Sequence, residues 1–591
     1  MSILLVSGLE KKFLKKAEKK IFVGNWLQDE KITNEKLCEN DFFMNDEREV
    51  VSFTNTISYL YEKIINNLYR ELNKLHNVNF DLRVWKVIID PWITYYLENI
   101  YFRWKIIKDI IKDNKETEMK FLNFKRLEYL PPFDQNEFHH LVASSSTFNH
   151  NIFQKILIYF SKKNKKLMLE NIDQPISKTE NYNYIINDKK ISKLKNISEK
   201  FFSLLSFKNK IYLDINCGIY DYLRLCICLK QIPYKGNKFF LRKNLIKLFN
   251  LEKNVDYKIR ENLSLNFDKS DDFENFLSEN FYRDIPQCLI EKFEDIKELS
   301  QKISIRPKII LSDINHKNNT IFKFWIMDCL KENTKLITAD HGGIYGNGMR
   351  AIHFDEEISD TSLKWHKPMR KTNFQLPVIH LLRFKNYRIK HQKRDKLLII
   401  CHDASKYPKY FSVGPIANQT LRQLYFIKNL NNNLDTSIIK KQFIRPYFAN
   451  NGWRINEKLK DLNMKNNFLL NKYNDYRNCM KRSKLIVVTY PKTAFYESLL
   501  SGPTILLYEP RYYRENTELK EVINSLKKVK IVFDDPLDAA KHINKYWNNL
   551  NNWWEANETV KARNFFFTKV ALYEKNPFLK WKKFIQKYLD E

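Results

Sequence analysis

The chain has 591 residues, 43% hydrophobic and 14% aromatic, with a formal charge of +32 from 101 basic and 69 acidic side chains. That length calls for two domains or more, the apolar content argues against disorder, and only 11 glycines among so many aromatics argue against a β-propeller. No apolar run approaches the roughly 18 residues of a membrane span, and eight scattered cysteines without a CxxC framework read as reduced thiols of a cytoplasmic protein.

The charge excludes less than its size suggests. The Lys pairs (Lys11-Lys12, Lys15-Lys16, Lys162-Lys163, Lys165-Lys166) are short and dispersed, which favours solvated faces, so no nucleic-acid partner is expected. Peripheral contact with an anionic inner membrane fits the charge better.

Ser2 to Gly8 reads as a first core strand rather than a signal peptide, and Ile21 to Trp26 as a second short strand. From Asp46 to about Lys112 the pattern is helical and aromatic-rich, with His76, Trp85, Pro91-Trp92 and Arg103-Trp104 read as packing. Phe133 to Lys166 is also helical. Its adjacent His139-His140 cannot share a helix face, so no metal site is read there. Residues 170–205 read as a polar loop or insertion, Ile211 to Ile215 as a strand, and 218–300 as mostly helical, with Asp268, Asp271 and Asp272 in a solvated turn.

After Pro307 the pattern becomes strand, helix, strand: Lys308 to Asp313, Thr320 to Lys331, and Lys335 to Ala339. The last strand runs into Asp340-His341-Gly342-Gly343-Ile344-Tyr345-Gly346. Parallel sheets bind ligands at the carboxyl ends of their strands, and the glycines would let a ligand approach the backbone. Glu357 and Asp360 follow closely and are candidates for a general base. Residues 384–396 form a basic stretch read as an interdomain linker. A second alternating unit starts at Leu397 (LLIICHD). Gln442 to Tyr447 reads as a strand ending in Arg445-Pro446-Tyr447, and Arg445 is a candidate phosphate ligand because guanidinium pairs with phosphate in two-pronged fashion.

The stretch Lys484 to Pro510 reads as strand, loop, helix, strand. Thr493 is taken as the helix N-cap, Lys492 adds a cation beside it, and loop amides with the helix N-terminus favour an anion there. Glu497, one turn on, could accept hydrogen bonds from ribose hydroxyls. Phosphate at the cap and ribose on the acid describe a nucleotide. Lys530 to Phe533 reads as one more strand, and 536–590 as helices.

These two α/β halves resemble the GT-B glycosyltransferase plan. Over nearly its whole length the chain also resembles a family of transferases encoded among bacterial surface-polysaccharide genes, distant relatives of capsule Kdo transferases and teichoic-acid glycerophosphotransferases. The resemblance rests on Gly24-Asn25-Trp26, Leu72-Asn73 with His76, Trp85 and Pro91-Trp92, then on His341-Gly342-Gly343 with Tyr345-Gly346, and on Glu357, Asp360 and Trp365. It ends with Arg445, Gly452-Trp453, Thr493 and Glu497. Asp340, His366 and Asn451 stand where that family has Gln, Gly and Asp, and Arg445-Pro446 replaces the His-Pro of the Kdo and glycerophosphate relatives.

The resemblance implies an α/β, GT-B-like fold: two Rossmann-like domains facing a cleft, with large helical insertions in the N-terminal half. The boundaries expected are 1–390 for an acceptor domain, 396–560 for a nucleotide-binding domain, and 561–591 for helices packing back on the first. It implies a metal-independent glycosyltransferase with no cofactor, cytoplasmic or peripheral at the inner membrane. The sugar would pass from a nucleotide donor, CMP-linked and Kdo-like or nonulosonic, to a lipid-linked or surface-glycan acceptor. Gly342, Gly343, Tyr345, Arg445, Lys492, Thr493 and Glu497 would hold the donor, Glu357 or Asp360 would be the base, and His341 would stabilise charge, with Asp340 orienting His341. A CDP-glycerol-type polyol phosphotransferase and a non-catalytic basic binding module are the alternatives.

Overall fold

Three parallel sheets organise the computed structural model, which describes residues 2–12, 19–27, 44, 47–125, 130–173, 209–234, 239–245, 255–343, 350–368, 370–388, 394–411, 414–447, 449–461, 476–513 and 517–590. The first sheet has the order β2-β1-β3-β4, from β1 (Ile3–Val6), β2 (Lys20–Phe22), β3 (Met119–Phe124) and β4 (Leu167–Ile172). Helices α1 (Glu47–Leu75) and α2 (Leu82–Asp113) connect β2 to β3, and α3 (Ser146–Ser161) precedes β4. The N-terminal half is thus a further α/β unit rather than helices alone. Its β3 and β4 escape the sequence reading, because MKFLNF and LMLENI are short and their polar residues, Lys120 and Asn123 in one and the adjacent Glu170 and Asn171 in the other, break the alternation that marks a strand. Most of 170–205 lies outside the described residues.

Helix α2 is the spine of this half. Asp81 caps it by accepting the Val84 N–H. Trp85, Trp92, Tyr96, Arg103 and Trp104 are all buried on it, and burial on every side marks a helix enclosed by other elements. The expected aromatic packing is what these residues do.

The second sheet runs in strict chain order: β5 (Ile211–Asp214), β6 (Ile309–Ser312), β7 (Lys335–Ala339), β8 (Thr361–Lys364) and β9 (Asn373–Gln375). Helix α4 (Ile219–Cys228) follows β5, and α5 (Arg350–Ile358) links β7 to β8. Ile309 and Leu311 face one core cluster and Ile310 the other, the period-2 pattern of a strand buried on both faces.

The third sheet has the order β11-β10-β12-β13-β14, from β10 (Lys396–Ile400), β11 (Gln442–Arg445), β12 (Ser483–Val488), β13 (Thr504–Leu507) and β14 (Val532–Phe533). The direction of winding reverses between β10 and β12, and such a switch point opens a crevice at the carboxyl ends of those two strands. Helix α6 (Thr493–Ser501) leaves β12 there. Helix α7 (Asn557–Lys569) packs its Phe566 on Phe495 and Tyr496 of α6. The last helix, α8 (Phe578–Asp590), crosses to the second sheet, where Phe578, Trp581 and Ile585 cover one face.

The second and third sheets meet at their carboxyl ends. The turn after β7 touches the start of α6, where the Gly343 N–H donates to Thr493 Oγ1 at 3.1 Å. This is the GT-B-like plan expected from the sequence: two Rossmann-like α/β units facing one cleft.

Candidate active site

The turn after β7 places His341 between two strand ends. Its Nδ1 lies 3.4 Å from Oδ1 of Asp313, the residue that follows β6. Asp313 is buried with its other oxygen on the Asn216 N–H, while the imidazole is 42% exposed and open to the cleft. Asp313, His341, Lys364, Trp365 and His380 line a small hollow, with Trp581 of α8 also in its wall.

Asp340 does not orient His341. Its Oδ2 accepts the Trp365 N–H at 2.9 Å, and Lys364 Nζ lies 3.6 Å from its Oδ1. Burial opposes the charge on Lys364, but Asp340, Asp355 and Glu356 outweigh it and raise its pKa. A protonated Lys364 thus offsets the acid that replaces the expected Gln.

Neither carboxylate proposed as base reaches this place. Glu357 pairs with Lys86 of α2 at 2.8 Å. Asp360 pairs with Arg83 at 2.6 Å and accepts the Leu336 N–H at 2.8 Å. Leu336 is the second residue of β7 and His341 lies past its end, so Asp360 sits on the order of 15 Å away, at roughly 3.3 Å per residue. Both acids fasten α5 and β7 to α2.

The glycines have a role other than the one expected. A Cβ on Gly342 would run into the Thr493 hydroxyl, and one on Gly343 into the Tyr496 ring. They admit α6 rather than a ligand. Gly343→Ala is expected to cost about 1–3 kcal/mol by overpacking this seam, read as a lower denaturation midpoint together with lost transfer activity. Tyr345 lies outside the described residues.

Thr493 is the first helical residue of α6 rather than its cap, and the cap position is Lys492, which makes no side-chain capping bond. Glu497 is buried, with Oε1 2.6 Å from His380 Nε2. Arg383 donates to His380 Nδ1 at 3.0 Å. Arginine can only donate, so Nδ1 accepts and Nε2–H donates to Glu497. Glu497 therefore ties α6 to the first lobe and is not open to a ribose. The Arg445 guanidinium lies over the Tyr476 ring, 5.1 Å from its centroid, outside the lining of either cavity described here.

Lys492 opens onto a second cavity, about 1020 Å³, at the switch point between β10 and β12. His402 and Asp403 after β10, Lys409 of the next loop, Tyr447 after β11 and Lys492 after β12 line it. Burial pushes Lys409 and Lys492 down to about 8 and Asp403 up to about 7. Burial, then Lys492, lowers His402 to about 3, so this imidazole is neutral. Asp403 Oδ2 accepts the Asn451 N–H at 3.1 Å, while Oδ1 has no hydrogen-bond partner among the described residues. Two desolvated ammonium groups in a concave site are stabilised by an anion.

Sequence reasoning passed over Asp313, Asp403 and Lys409. The first two follow strands that were recognised, KIILSD and LLIICHD, and the position just past a parallel strand is itself the signal. Lys409 has no such signal. Its loop is held from outside the third sheet: Asn99 of α2 donates to Lys409 O at 3.1 Å, and Arg103 to Pro408 O at 3.2 Å.

The sequence profile described as LIC12162 family transferase matches residues 2–585. The chain belongs to that family. Transferase chemistry therefore stands for this LIC12162-family protein. Solved structures of a wall teichoic acid polymerase, TagF, are also similar. One matches at 11% identity and a TM-score of 0.30, covering 67% of this chain and 96% of its own. Another, a variant soaked with CDPG, matches at 10% identity and a TM-score of 0.29, covering 49% and 74%. No curated protein matches the chain.

Proposed function

We propose that this LIC12162-family transferase is a glycosyltransferase that moves a sugar from a nucleotide donor, CMP-linked and Kdo-like or nonulosonic, to a lipid-linked or surface-glycan acceptor. The observation that carries the reading is the pair of cavities on either side of the Gly343–Thr493 contact, one with paired lysines and one with the Asp313–His341 pair. The donor phosphate sits on Lys409 and Lys492, and Asp403, its carboxyl pushed up to about 7 by burial, donates to a donor oxygen in its protonated form. His341 Nδ1 faces Asp313, which leaves Nε2 for the acceptor hydroxyl. In the transfer step the hydroxyl proton passes to His341 Nε2 and the acceptor oxygen bonds the anomeric carbon. The bond from that carbon to the phosphate oxygen breaks, and the lysines take up the negative charge that forms.

A nucleotide panel read by melting shift tests this. CMP and CDP are expected to stabilise the protein more than UDP or GDP. Stabilisation by CDP-glycerol without any by CMP or CMP-sugars would instead assign a polyol phosphotransferase acting through the same residues. Lys492→Ala is expected to weaken nucleotide binding by about thirtyfold or more, the effect of removing one partner of a desolvated charge pair.

Affinity should also depend on pH with a definite sign. The lysines lose their charge above about 8, and Asp403 gains one above about 7. Both changes disfavour an anion, so calorimetric affinity for the nucleotide is expected to fall steadily from about pH 6.5 to 8.5.

A further inference from the structure

Helix α4 presents an outer face that water does not explain. Tyr222, Leu225 and Cys226 are buried toward the second sheet, as an amphipathic helix requires. The opposite side should be polar. Instead Ile219 is 63% exposed, Tyr220 80%, Leu223 36% and Ile227 74%. Positions 219, 220, 223 and 227 form one stripe at helical spacing. Leu579, 67% exposed, extends it on α8, where the neighbouring Phe578 carbonyl meets Cys228 Sγ at 3.5 Å. Scattered apolar side chains on a surface are ordinary, but a contiguous stripe marks an interaction site.

Beside the stripe lies a cleft of about 1130 Å³ lined by Arg224, Arg383, Lys385 and Lys575, with Asp221 as the one acid among its described lining residues. The Arg224 guanidinium stacks on Phe578, 4.5 Å from the ring centroid, so this charge sits at the boundary of the apolar face. Lys230 and Lys580 are exposed at the adjoining helix ends. Apolar residues flanked by cations match the two layers of an anionic bilayer surface, acyl boundary and phosphate headgroups.

We propose that the α4 stripe with Leu579 docks on an anionic phospholipid surface, the headgroup phosphates entering the Arg224–Arg383–Lys385–Lys575 cleft. The proposal assumes nothing about the donor. It does place the active site at that surface: Arg383 lines the cleft and donates to His380, which bonds Glu497 at the lobe seam. A lipid-anchored acceptor would then reach the site without leaving the membrane.

Co-sedimentation of the full chain with vesicles tests it. Binding to phosphatidylglycerol mixed with phosphatidylcholine is expected at about 0.1 M salt, weakening as salt rises, with little binding to pure phosphatidylcholine. The doubly substituted Tyr220→Asp, Ile227→Asp protein should bind about tenfold or more weakly, and so should Arg224→Glu, Lys575→Glu. Each is checked for unchanged circular dichroism, and the two sets are independent should one fail to fold. No binding by the parent protein, equal binding to neutral vesicles, or undiminished binding by the folded variants would overturn the proposal. So would loss of self-association in the variants, seen by light scattering, with vesicle binding intact, which would mean a second copy covers the stripe. Vesicle binding by a protein that no nucleotide stabilises would uphold this surface while removing the donor reading.

Discussion

His341→Gln is expected to lower the transfer rate by about 10²- to 10⁴-fold, the range supplied by a positioned proton acceptor. The nucleotide-dependent melting shift should survive, because the lysines that favour the phosphate line a different cavity. Glutamine keeps the size and polarity of the side chain, and the turn itself is held through the Gly343 N–H rather than the imidazole. The loss should therefore fall on kcat. Asp313→Asn tests the same arrangement from behind. It removes the charge 3.4 Å from Nδ1 that stabilises the imidazolium formed during transfer, so it should lower kcat by less than His341→Gln and leave donor binding alone. Glu357→Gln and Asp360→Asn should leave kcat near that of the parent, since their carboxylates hold Lys86 and Arg83. A large loss of kcat in either, with the melt unchanged, would return the base to that pair and remove it from His341.

Arg388→Met is expected to destabilise the third-sheet lobe by on the order of 3 kcal/mol. The guanidinium is fully buried. It donates to Ser501 Oγ at 2.8 Å, Ser498 O at 3.1 Å, Pro503 O at 2.6 Å and Thr504 Oγ1 at 2.8 Å. These acceptors lie at the end of α6 and the start of β13, so one side chain fixes the turn between the elements that carry the seam. Methionine restores most of the volume and none of the donors. The change should lower the urea midpoint of this lobe at unchanged slope, and a midpoint within error of the parent would remove Arg388 from the stabilising framework. Gly502 fits the same turn. Its φ is +153°, and a Cβ at this position would lie 3.4 Å from the guanidinium, which leaves little room for a side chain.

The stretch containing Arg388 shows where a sequence becomes ambiguous. Residues 384–396 are rich in basic side chains and read as a linker, yet Asn386 and Arg388 donate backbone hydrogen bonds to Leu500 O and Ser501 O. A buried arginine differs from a solvated one only in what surrounds it, and those neighbours lie more than a hundred residues away in the chain. The wall of the lysine-lined cavity has the same origin. Arg103 and Asn99 belong to α2, and the loop that they hold follows β10.

What the sequence determined by itself is local: the apolar β-branched runs of the second and third sheets, the helices between them, and the strand-end turn bearing His341. Those features depend on side-chain periodicity and on glycine and proline punctuation within about a dozen residues. Strands such as TSLK at Thr361–Lys364 lack that mark, because their polar side chains are buried through tertiary partners, as Lys364 is by Asp340 and Glu356. Only the tertiary structure decided which acid stands by His341. Sequence proximity favoured Glu357 and Asp360, but chain direction carries them to the far end of β7, while parallel pairing of β6 with β7 brings Asp313 alongside. A parallel sheet aligns the ends of strands that are distant in sequence, and the chemistry of the cleft is assembled from those ends.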